Sequence, residues 1–135
     1  MLFRSEGNGV SMLEFVRIYL APLIGLATLG IGLLAVAKPQ KMSINYGIYA
    51  NDKALPYVVA TGIRDVFMGL MIVALFFLKE WRAIAIAQFL LAIVAIVDFS
   101  IVIKSGEKLK ALVHLTGALA VSFYGIWILL SLTTA

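Results

Sequence analysis

The sequence predicts an all-α integral membrane protein, a four-helix up-down bundle, on three observations. Of 135 residues, 63% are hydrophobic and only 13% charged, whereas an average soluble domain carries about 25% charged residues. The apolar residues gather into four runs of bilayer length, about twenty residues at 1.5 Å of rise covering roughly 30 Å of hydrocarbon. The later links between those runs are short and polar, which makes consecutive helices antiparallel.

Residues 1–17 read as an N-terminal tail and 18–132 as the four-transmembrane-helix domain. The stretch from Met1 to Met12 has no continuous apolar core and no small-residue cleavage motif, so it is not expected to be a signal peptide; either it is a short tail or the start is Met12. The first span is placed at 18–37, after Arg17, with Pro22 near its first turn and Lys38-Pro39 closing it, because the residue before a proline is driven out of helical geometry. Lys38 to Pro56 is the one long link, too greasy for a solvated linker. It is expected to lie on the membrane surface, with Tyr46, Tyr49 and Tyr57 in the interfacial belt, covering the mouth of whatever lies beneath. The second span, 57–78, ends at Lys79-Glu80-Trp81-Arg82, a link short enough to force an antiparallel pair with the third, 83–103. A basic turn from Lys104 to Lys110 precedes the fourth, 111–132.

Each span carries a stripe of small or polar residues at helical spacing: Ala21, Gly25, Thr28, Gly32 and Ala35; Gly62 and Gly69; Gln88, Ala92 and Ala95; His114, Ala118 and Gly125. Small residues let membrane helices approach closely, so these stripes are expected to face inward. No strict GxxxG lies inside a span, so no specific dimer is expected, and a homo-oligomer stays open but is not indicated. Lys38, Lys41, Lys53, Lys104, Lys108 and Lys110 outnumber Arg4, Arg17, Lys79 and Arg82, which leans the first and third loops towards the cytoplasm of a cell membrane, the inner one in a Gram-negative cell.

Composition also excludes chemistry. No cysteine and one histidine remove disulfides, thiolate catalysis and an ordinary metal site, and no cofactor is expected. Of the eleven basic residues, all but Arg64 lie in tails and loops. Lipid headgroups are therefore the expected partners of the +4 net charge, not nucleic acid.

Arg64, Asp65, Asp98 and His114 stand out, since an ionised group at the centre of a membrane helix costs roughly 2.5 to 3.5 kcal/mol on insertion scales and calls for a partner. Measured from the face that carries the first and third loops, Arg64 and Asp65 lie roughly 10 to 12 Å deep, Asp98 roughly 8 Å and His114 roughly 5 Å. Alternating helix directions thus bring all four into one half of the bundle. Adjacent helical positions diverge by about 100°, so Arg64 is expected to reach across to Asp98 while Asp65 faces the fourth helix near His114. Thr61 shares Asp65's face and Gln88 shares Asp98's, which adds both to the candidate ligand-binding set. Asp65, Asp98 and His114 are the candidate proton-active groups. The alternative is that the cluster only clamps the bundle.

At these residues the chain resembles a known family. Leu33 to Pro39, Tyr46-Gly47, Tyr57 to Gly69 with Gly-Ile-Arg-Asp, Val97-Asp98 with Gly106 after it, and His114 with Gly117-Ala118 are similar to the small four-helix membrane proteins catalogued as domain of unknown function family 4267, DoxX-like in style. The resemblance runs from about Val16 to Leu130. It implies architecture and membrane location, and it marks Arg64, Asp65, Asp98 and His114 without assigning roles.

Three functions remain open at this stage. The first is a non-enzymatic membrane component that binds a lipid-like, quinone-like or other amphipathic ligand, or serves a membrane complex. The second is a small membrane enzyme doing acid and base chemistry of isomerase or cyclase type on a hydrophobic substrate, with Arg64 as an anion or oxyanion stabiliser. The third is proton-coupled transport, for which four spans without a repeat leave little room.

Overall fold

A computed structural model describes residues 10–134. Among the described residues the elements are five α-helices: α1 (Met12–Ala37), α2 (Pro39–Tyr46), α3 (Leu55–Phe77), α4 (Trp81–Lys104) and α5 (Lys108–Thr133). The four long helices α1, α3, α4 and α5 are each long and apolar enough to cross a membrane. Their outer faces carry side chains such as Phe67 and Phe123, 66% and 69% exposed. Such surface is tolerable where lipid tails replace water.

α1 begins earlier than the composition suggests. Ser11 caps it by accepting a hydrogen bond from the Glu14 amide at 3.2 Å, and Glu14 pairs with Arg17 at 3.6 Å. The last residues assigned to the tail, Met12 to Arg17, are therefore helical, and Pro22 lies well inside the helix. A proline there leaves the Ile18 carbonyl without its helical partner. Close by, the Tyr124 hydroxyl donates to the Arg17 carbonyl at 2.7 Å and ties α5 to this part of α1.

The helices associate as two close pairs, α1 with α3 and α4 with α5, that touch each other only lightly. Glycine decides the first pair. A methyl added to Gly69 would stand 2.6 Å from the Gly25 carbonyl oxygen, and one added to Gly32 would stand 2.6 Å from that of Gly62. Backbones that close leave no room for any other residue, and the contact supplies the packing that lipid does not drive. Of the expected inward stripe on α1, Ala21, Gly25, Gly32 and Ala35 are buried. The short turn after α3 does force α4 to reverse, but the two do not pack along their length. The partner of α3 is α1, because that is where its glycines fit.

At one end all four long helices meet around Ala21, Ile84, Ala85, Tyr124 and Ile128, flanked by Leu75, Phe76, Trp81 and Trp127. At the other end the two pairs splay apart, and the connection between α1 and α3 fills the gap from above. There α2 packs through Met42 on Ala35 and Val58. Gly47 ends α2 with φ 81°, a backbone conformation that costs glycine little. A side chain at Gly47 would also strike Val102 at 2.8 Å. On both sides of this turn the segment is tied to the α4–α5 corner: Ser105 Oγ donates to the Gly47 carbonyl at 2.9 Å, Lys110 Nζ to the Ile44 carbonyl at 2.6 Å, and Tyr49 OH to Glu107 Oε1 at 2.9 Å. The link is thus a roof spanning both helix pairs.

Candidate functional site

Beneath the roof lies a cavity of about 610 Å³, within the range of roughly 300 to 1,000 Å³ usual for small-molecule sites. Thr28 and Ile31 line it from α1, Met42 and Tyr46 from α2, Thr61, Arg64 and Asp65 from α3, Val94 and Asp98 from α4, and His114, Gly117 and Val121 from α5. The walls are mostly apolar. The ionisable groups come from all the long helices except α1.

Arg64 is the hub. Its Nη2 lies 3.3 Å from Asp98 Oδ2, a bond between α3 and α4. Its Nε and Nη2 each stand 3.0 Å from Asp65 Oδ1. The reach to Asp98 agrees with the helical geometry argued above. The contact with Asp65 corrects it, since adjacent positions were expected to diverge. A long arginine stem lets the guanidinium fold back along its own helix, and the planar fork then serves two carboxylates at once. Asp65 is accordingly committed to its neighbour, although it lines the same cavity as His114.

His114 lies half-buried on the α5 wall, its ring centroid 6.4 Å from that of Tyr46. Thr61 is on the wall too, but its Oγ1 donates to the Tyr57 carbonyl at 3.0 Å, which leaves only its lone pairs for anything else. Gln88 is not part of this set. Ten residues before Asp98, it lies roughly 15 Å further along α4. It is fully buried, its Cβ 3.3 Å from where a side chain at Gly125 would begin, and neither amide atom has a hydrogen-bond partner among the described residues. Sharing a helix face with Asp98 does not mean sharing its depth.

Tyr46 is the residue that sequence reasoning placed elsewhere. Rather than standing in an interfacial belt, it turns into the cavity, and its hydroxyl is buried with no hydrogen-bond partner among the described residues. Burial pushes that hydroxyl up to about 12, and the negative charge of Asp65 adds to the rise. The available signal was its place just before Gly47, the turn that folds the roof over the cavity. No group of three or more metal-ligating side chains occurs among the described residues.

Four apolar spans around an interhelical cavity define a small multi-pass helical membrane protein. The chain belongs to the family described as domain of unknown function (DUF4267), whose model matches residues 25–128. That match contains Tyr46, Arg64, Asp65, Asp98 and His114. No curated protein and no solved structure matches the chain.

Proposed function

We propose that this protein is a membrane component that binds an amphipathic small molecule, the apolar part between the two helix pairs and the polar part at Arg64, Asp65 and Asp98. The observation that carries the reading is a ligand-sized cavity with apolar walls and a few convergent polar groups, the usual composition of a small-molecule site. A clamp alone accounts for the ion pairs but not for the space beside them. On this reading the protein sits in the cell membrane, the inner one in a Gram-negative cell, with the roof on the cytoplasmic side, an orientation that the lysine-rich first and third loops support.

Gly117 provides the test. It lines the cavity, and a Cβ there would meet nothing within 4 Å, so Gly117→Leu starts from open space and puts its bulk on the cavity wall. Solvent extraction of the purified protein followed by mass spectrometry should recover an amphiphile from the wild type and much less from Gly117→Leu. Equal lipid profiles from two equally folded proteins would sink the proposal.

A second reading, acid and base chemistry on a hydrophobic substrate, draws on the meeting of Asp65, Asp98, His114 and the unpartnered Tyr46 hydroxyl at one cavity. It predicts that the wild type in heavy water exchanges deuterium into carbon positions of the co-purifying amphiphile and that Asp98→Asn does not. No labelling by the wild type above a protein-free control leaves only the binding role.

A further inference from the structure

The polar cluster has a sign. Arg64 meets Asp65 at 3.0 Å and Asp98 at 3.3 Å, so one positive charge stands against two negative ones. Lys110, also on the wall, does not redress the balance. Its Nζ donates to the Ile44 carbonyl at 2.6 Å, lies 4.0 Å from Glu107 Oε2 and sits over the Tyr49 ring, which holds its charge up at the roof. A protonated His114 would bring the sum only to zero. An anionic head group entering here would find the guanidinium already shared and two carboxylates facing it.

Hydrogen-bond capacity points the same way. Among the described residues, Asp65 gives one oxygen to the arginine and Asp98 gives one, and the second oxygen of each has no protein donor. The Tyr46 hydroxyl is buried without a partner. Carboxylates only accept, and a hydroxyl accepts as well as donates. The site therefore has acceptors to spare.

We infer, building on the ligand-binding reading above, that the bound amphiphile carries a non-anionic, hydrogen-bond-donating head group, a hydroxyl or an amine, and not a carboxylate or phosphate. The head lies against the free oxygens of Asp65 and Asp98, below Tyr46. The chain follows the apolar wall past Gly117 and Val121, along the side where α1 and α5 barely touch. An acidic head would lose the attraction and meet repulsion that the low-dielectric surroundings strengthen.

The test uses three amphiphiles with the same chain, oleyl alcohol, oleylamine and oleate, titrated against the full-length protein in nanodiscs and read by native mass spectrometry at neutral pH. The alcohol and the amine should bind at least about tenfold more tightly than oleate, a difference of about 1.4 kcal/mol. Asp65→Asn/Asp98→Asn should shrink that ratio several-fold by improving oleate binding. Should the double variant not fold, Asp98→Asn alone carries the same expectation in smaller degree. Oleate binding as tightly as the other two in the wild type overturns the head-group inference and leaves the cavity reading standing. If none of the three binds in a way that Gly117→Leu weakens, both fall together.

Discussion

Arg64 Nη2 stands 3.3 Å from Asp98 Oδ2 and joins α3 to α4 where those helices otherwise hardly touch. The same guanidinium holds Asp65 at 3.0 Å, so the three residues are unequal. Asp98→Asn removes one of two carboxylates and leaves the arginine paired, at a cost of about 1 kcal/mol. Arg64→Gln leaves two carboxylates facing each other without a cation, and stranding a poorly hydrated charge costs about 3 kcal/mol. Thermal unfolding in detergent, followed by the fluorescence of Trp81 and Trp127, should rank Arg64→Gln clearly below Asp98→Asn. Equal losses would mean that the arginine is not shared.

The α1–α3 contact predicts a contrast between two glycines on one helix. A methyl at Gly32 would stand 2.5 Å from the Val66 amide nitrogen, whereas one at Gly30 meets nothing within 4 Å. Gly32→Ala should therefore destabilise by about 1 to 3 kcal/mol through overpacking. Gly30→Ala should cost nothing or gain about 0.5 to 1 kcal/mol through helix propensity. Similar melting temperatures for the two variants would show that α1 and α3 do not approach through Gly32 and Gly62.

Tyr46 predicts a pH effect with a definite sign. Its hydroxyl is raised from 10.0 to about 12 by burial and by Asp65, so the folded state holds the proton more firmly than the unfolded state. The corresponding stability is fully present below pH 10 and is lost as pH rises through 12. Tyr46→Phe should blunt the alkaline loss seen in the wild type. Below pH 10 it should be neutral or mildly stabilising, because it deletes a buried hydroxyl that has no partner. Superimposable alkaline unfolding curves would contradict the burial of this group.

Much of the site was legible because buried charge in a bilayer-length helix restricts the options severely. Alternating crossings bring Arg64 and Asp98 to one depth whatever the packing, and helical spacing marks out the buried small face of α1. The local Arg64–Asp65 contact was not legible, since spacing describes where side chains leave the helix and not where a long one folds back. Gln88 failed for a related reason. Its face was right, but its depth put it among the α4–α5 packing residues.

By itself the sequence determined four membrane-spanning helices, their alternating directions, the small inward faces and the shared depth of the ionisable groups, because each follows from hydrophobicity, residue volume and a fixed rise per residue. Only the tertiary structure decided which helices pair, that the pairs splay into a cavity, and that Tyr46 turns inward under the roof. Those features depend on how two surfaces fit together. Gly32 meeting Gly62, or Ser105 reaching Gly47, is a property of neither segment alone.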